Sequence, residues 1–158
     1  MNEPVQTSSE SELETKTLKK GSPVKAIAIG LVVDIGGSFV SAFIMTIGYG
    51  ILLASRGLSP EEIEYRLVNL DPYSTFSIIT LVVGGLMTVL GGYVCARIVN
   101  YSEYKFAFIF GFISAAFGHI VSESYHSTLD NLALGILTLG CAFLGAWLRV
   151  VQKANTPA

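Results

Sequence analysis

Two groups of polar residues in this chain have the types and spacing that support chemistry. The first is one carboxylate, Asp34, inside an apolar run that starts near Val24. A charged side chain in hydrocarbon is costly and is a functional hypothesis by default, with a partner to be named. Asp34 lies roughly 13 Å along a helix from Lys25, at 1.5 Å per residue. The partner the sequence offers is Arg97, a few residues inside the end of a second apolar run. Asp34 reads either as a proton or cation site or as a buried, hydrogen-bonded or ion-paired residue that fixes helix register. The chain places no second acid at its depth, so it makes a poor relay, and the register reading is favoured.

The second group holds both histidines: His119, Glu123, His126 and Asp130. Their spacing places them on one face if the helix through His119 runs on past the apolar stretch. His119 with Glu123, and Glu123 with His126, are pairs able to share a metal ion. All four cannot, because the stripe is roughly 16 Å long. Metal or proton binding by His119, Glu123 and His126 stands against a solvated loop with one histidine bonded to nearby backbone, and the loop is favoured.

Other chemistry finds less support. No spacing arranges an acid, a base and a nucleophile, so no catalytic residue is expected and the chain reads as non-enzymatic. The Gly-Gly pairs fall in mid-apolar runs where no nucleotide reaches them, and no cofactor is expected. Cys95 and Cys141 also fall in apolar runs and read as packing residues rather than a disulfide. The charge pattern has no basic nucleic-acid surface.

The elements that position these residues follow from composition. Of 158 residues, 51% are hydrophobic and 14% charged, where a soluble domain carries about a quarter charged. The apolar residues concentrate in four runs, at about 24–54, 75–99, 104–122 and 132–151, each long enough to cross a bilayer, which takes roughly 20 residues. The first is longer than needed and must tilt or project. No cleavable signal peptide is apparent, since this first run is too long for one. Residues 1–22 are polar, too poor in apolar groups to offset ordering entropy, and read as a disordered tail. Ser22-Pro23 reads as cap and first residue of the first helix. Ser59-Pro60-Glu61-Glu62 is a second start signal, and Ile63, Leu67 and Leu70 give the segment at about 59–70 an amphipathic face. Residues 152–158 form a short tail. The expected fold is an all-α bundle of four transmembrane helices with a short amphipathic helix between spans one and two.

Of the sixteen glycines, all but Gly21 and Gly57 lie in the four spans. Gly30 and Gly37 share a face with Asp34. Gly84, Thr88, Gly91 and Cys95 form another, flanked by Gly85 and Gly92. Gly111, Ser114 and Gly118, with Ala107 and Ala115, mark a small stripe in span three, and Gly135 and Gly145 one in span four. Lipid gains nothing from such faces, whereas another helix approaches their backbone closely. Orientation follows from Lys and Arg at span ends. Lys16, Lys19, Lys20, Lys25, Arg97, Lys105, Arg149 and Lys153 fall on one side and only Arg56 and Arg66 on the other. Both termini are therefore expected in the cytoplasm.

Gly91-Gly92-Tyr93-Val94-Cys95-Ala96-Arg97 ends span two. It resembles a Gly-Gly-aromatic-x-x-Ala-Arg helix end of small four-span bacterial inner-membrane proteins of uncharacterised function. That resemblance implies a bacterial cytoplasmic-membrane location and supplies no activity. The partners expected are the bilayer and either another membrane protein or a second copy. The functional expectation is an accessory subunit or self-associating scaffold. The first alternative is a small oligomeric transporter or channel using Asp34, and the second is a metal- or proton-binding protein using the His119 stripe.

Overall fold

The computed structural model describes residues 21–122 and 128–155. Residues 1–20 of the tail expected at 1–22, residues 123–127 with Glu123 and His126, and residues 156–158 lie outside the described residues. The described chain is helical, with five helices: α1 (Pro23–Ser55), α2 (Pro60–Val68), α3 (Thr75–Val99), α4 (Glu103–Ser122) and α5 (Thr128–Ala154). All but α2 are long and apolar enough to cross a membrane.

Local chemistry sets most helix ends. Ser59 and Glu62 form a reciprocal capping box: the Ser59 amide donates to Glu62 Oε2 at 2.9 Å and the Glu62 amide to Ser59 Oγ at 3.3 Å. Pro60 occupies the first turn. At α3, Ser74 Oγ accepts from the Ser77 amide at 3.2 Å. Pro23 starts α1 as expected, but Ser22 makes no side-chain cap. Asn100, with φ of 56°, ends α3 in the left-handed conformation that asparagine tolerates. The fourth span is longer than its apolar run, reaching Thr128 at one end and Ala154 at the other. Hydropathy marks the buried slab, not where backbone hydrogen bonding stops. The last turn of α5 is held by Lys153, whose Nζ lies 3.1 Å from Glu103 Oε1 and 3.3 Å from the Asn100 carbonyl.

Glycine crossings fix the register. A Cβ on Gly91 of α3 would stand 2.8 Å from the Gly30 carbonyl oxygen, so α1 and α3 meet there backbone to backbone. Further along, Met45 approaches Thr80 and the Tyr49 and Phe76 rings stack at 4.4 Å, so the two helices run antiparallel. A Cβ on Gly92 would stand 2.5 Å from the Ala142 carbonyl oxygen, and one on Gly145 would overlap the Val89 carbonyl oxygen. Gly85 lies by the Cys141 sulfur and the Tyr93 hydroxyl donates to Gln152 Oε1, so α3 and α5 run in parallel. Gly111 of α4 packs on the methyl group of the same alanine, where a Cβ would stand 2.9 Å from Ala142 Cβ. Gly37 approaches Met87 and Gly85 the Cys141 sulfur, whereas Gly84 and Gly118 face open space and Gly135 has its nearest neighbour only at 4.0 Å, Ala115 Cβ.

These crossings cluster in one half of the bundle, towards the end where Pro23 and Ala154 lie. There Ala26, Cys95, Val99, Phe110 and Ala142 form a fully buried core, with Ala96, Ala107 and Ala146 beside it. The half towards α2 is looser. Large apolar side chains such as Val40, Phe43, Ile44 and Ile51 point outward there, as lipid-facing positions do.

The crossings predict an asymmetry among glycines. Gly92→Val or Gly145→Val forces the helices apart and costs about 1–3 kcal/mol or more, the usual scale of overpacking. Gly84→Ala and Gly118→Ala change stability by about 0.5 kcal/mol or less. Thermal aggregation of each variant in detergent, followed by size exclusion, measures this; equal losses at Gly84 and Gly145 would refute the register.

Candidate functional site

Asp34 lies at the junction of three helices, in the first half of α1 and near the middles of α3 and α4. It is 3% exposed. Thr88 Oγ1 of α3 donates to its Oδ1 at 2.8 Å, and Ser114 Oγ of α4 donates to its Oδ2. Both hydroxyls are themselves buried. Each carboxylate oxygen thus receives one donor from a different neighbouring helix.

Other hydroxyls in the bundle show what is unusual here. Ser41, Thr80 and Thr138 each donate to the carbonyl four residues earlier, at 2.7, 2.9 and 2.9 Å. That is the local solution for a hydroxyl in an apolar helix. Thr88 has the same option in the Gly84 carbonyl, but at 3.3 Å, and its single proton has the better acceptor in Asp34.

The backbone of α1 departs from α-helical form at this place. Val32–Gly36 make one π-helical turn with Asp34 at its centre. Such turns are rare and concentrate at functional sites. Gly36 ends this turn and Gly37 follows it, and a pair without side chains is where a helix most readily departs from regularity. Sequence periodicity treats the first span as one regular helix and cannot reveal this turn.

On the side towards α2, Asp34 borders a cavity of about 400 Å³ built by all four spans. Its apolar wall includes Ile35 and Phe39 of α1, Leu81 of α3, Phe117 of α4 and Leu137 of α5. Gly84 and Gly118, which meet no neighbour, open onto it. On the other side the bundle is shut. Phe110 is fully buried, and it fills the gap where Gly30 and Gly91 meet. The site is therefore a carboxylate at the blind end of a mostly apolar cavity.

Energetics define what such a site needs. Moving a carboxylate into low dielectric costs on the order of 20 kcal/mol in the idealised limit and still several after relaxation. A hydrogen bond to a charged group returns about 1.5–3 kcal/mol. Two hydroxyls offset only part of the cost. Among the described residues no lysine, arginine or histidine lines the cavity to offset the remainder.

The other candidate residues are placed differently. Arg97, the partner offered by the sequence, is exposed in the last turn of α3, roughly 13 Å along the helix from Thr88. Asp34 is held by hydroxyls in its place. His119 and Asp130 are exposed, and Glu123 and His126 lie outside the described residues. Among the described residues no group of three or more His, Cys, Asp or Glu side chains is placed to hold a metal ion. Cys95 and Cys141 are free thiols: Cys95 is buried in the closed half, while Cys141 lines the cavity. Thr88 and Ser114 belong to small-residue stripes visible in the sequence, but nothing there marks them as donors to Asp34.

Asp34→Asn keeps an acceptor for one hydroxyl and a donor for the other, so it costs about 1 kcal/mol or less, whereas Asp34→Leu leaves both hydroxyls without it and costs about 2–4 kcal/mol. Detergent unfolding curves compare them, and an Asn variant as unstable as the Leu variant would contradict the hydrogen-bond geometry. In lipid vesicles Cys141 reacts with a water-soluble maleimide from one side only, and Cys95 reacts only after denaturation. Equal labelling of the two would contradict the placing of Cys141 on the cavity and Cys95 in the closed core. No protein-family model, curated protein or solved structure matches the chain.

Proposed function

We propose that this chain is a small membrane transporter in which Asp34 binds and releases a proton or a cation at the blind end of the cavity. The observation that carries this reading is the Asp34 carboxylate, buried at 3% exposure, given one hydroxyl donor per oxygen and bordering a cavity of about 400 Å³. A residue needed only for helix register has no use for an open chamber beside it. The chamber supplies what a transport site requires, a route by which the neutralising charge enters and leaves. The Lys and Arg distribution supports a cytoplasmic location for both termini, which opens the cavity to the outer side. The reading contains no catalytic step and needs no cofactor.

The alternative, an accessory subunit or self-associating scaffold, is supported by the outward apolar face of α1, where Phe43, Ile44 and Ile47 are exposed. Lipid covers such a face as well as a protein does, so this face selects no partner. It does not account for Asp34.

Charge movement tests the proposal without knowledge of the substrate. Asp34 lies well inside the span, so a proton reaching it from the cavity side crosses part of the membrane field. A pH step applied to proteoliposomes adsorbed on a capacitive electrode produces a transient current. Asp34→Asn, matched to wild type by size exclusion, abolishes it. Indistinguishable currents in the two proteins would end the proposal.

A further inference from the structure

The wall of the cavity narrows the class of molecule that binds there. Asp34 is its one ionisable carboxylate, and no lysine or arginine lines it among the described residues. The groups facing Asp34 are Thr88 from α3 and Ser114 from α4, both uncharged. From α5 the nearest titratable lining residue is the Cys141 thiol. A divalent metal ion is poorly served, because Ca²⁺ takes six to eight oxygens and Mg²⁺ a near-ideal octahedron. One carboxylate and two hydroxyls already donating to it fall well short. A small hydrated ion also has no use for the apolar remainder of the chamber.

That remainder is shaped for an organic body. Its volume, about 400 Å³, falls in the range of sites for drug-sized molecules. Leu81, Val121, Leu134 and Leu137 supply aliphatic surface, and Phe39 and Phe117 supply rings able to stabilise diffuse positive charge.

We infer that the cavity binds a lipophilic organic monocation, with its charged centre at Asp34 and its apolar body against Phe39, Phe117 and the leucines. This rests on the reading of Asp34 as the exchange site. One positive charge neutralises the single carboxylate, and the apolar body gains from leaving water. Because proton and ligand neutralise the same group, they compete for it. Binding of one cation to protonated Asp34 releases one proton to solvent.

Tetraphenylphosphonium is the probe, with tetraphenylborate as its anionic counterpart of the same shape. Both are titrated calorimetrically into purified protein in lipid nanodiscs, alongside Na⁺, in buffers of different ionisation heat. Protection of Cys141 from maleimide is a second readout. Tetraphenylphosphonium is expected to bind, to release up to one proton per cation and to slow Cys141 labelling at least tenfold. Asp34→Asn is expected to weaken its binding at least tenfold. Gly118→Leu, which puts a side chain into the chamber where a Cβ meets no atom within 4 Å, is expected to do the same, and it keeps the test decisive if the Asn variant folds poorly. Equal affinity for tetraphenylborate, or equal protection in Asp34→Asn, would overturn the inference by making the cavity a mere apolar cleft. Heat and proton release with Na⁺ but not with tetraphenylphosphonium would overturn the substrate class and leave Asp34 standing as an exchange site. Absence of an Asp34-dependent pH-step current would remove the underlying reading itself.

Discussion

A carboxylate in the middle of a membrane bundle demands that its neighbours come to it. Asp34 has one hydroxyl donor per oxygen, from Thr88 and Ser114 on two different helices. Those bonds return only part of the solvation lost, on the magnitudes for charged hydrogen bonds and buried ions. Three helices are therefore tied to one point, and that point remains short of positive charge. The π-helical turn in α1, the meeting of α3 and α4 on either side of it and the adjoining chamber all follow this arrangement.

The bundle is organised in two halves about Asp34. In the half near the described chain ends, Gly30 meets Gly91, Gly92 meets Ala142, and Gly111 meets the same alanine, at separations that exclude any side chain. Close backbone approach gives those crossings dispersion contacts in place of the hydrophobic effect, which lipid does not supply between helices. In the other half, Gly84 and Gly118 have no neighbour to meet. The same residue type thus closes the bundle on one side of Asp34 and keeps it open on the other. Whether a glycine is packed or vacant depends on what the facing helix presents, and that separates a sealed base from an accessible chamber.

Much of the fold was legible in the sequence. The four spans, the short helix at Pro60 and its capping by Ser59 rest on local signals: run length, a proline, and a serine followed by a glutamate three residues later. Asp34 stood out because a charge in an apolar run is costly wherever the helix packs. Its partners were not legible. Arg97 was the expected counter-ion because it bears the right charge, but it lies at the end of α3 and is exposed. Thr88 and Ser114 were visible only as small residues. Assigning them as donors requires the inter-helix register, set by glycine crossings between residues far apart in the chain. The π-helical turn was hidden for a related reason, since a regular 3.6-residue period is assumed when faces are counted. The helix of the fourth span runs on past its apolar residues to Ala154, and hydropathy does not register the Lys153–Glu103 pair that lies there.

The proposed exchange at Asp34, with a proton as the exchanged charge and two hydroxyls holding the carboxyl group, is open to direct measurement. Infrared difference spectroscopy of the protein in lipid nanodiscs, on transfer from H₂O to D₂O, tests this most directly. The account predicts a carboxyl carbonyl band that is absent in Asp34→Asn, shifts in Thr88→Val and in Ser114→Ala, and moves with deuterium while the bundle stays folded. A band insensitive to those three substitutions, or one that exchanges only when the helices unfold, would contradict it.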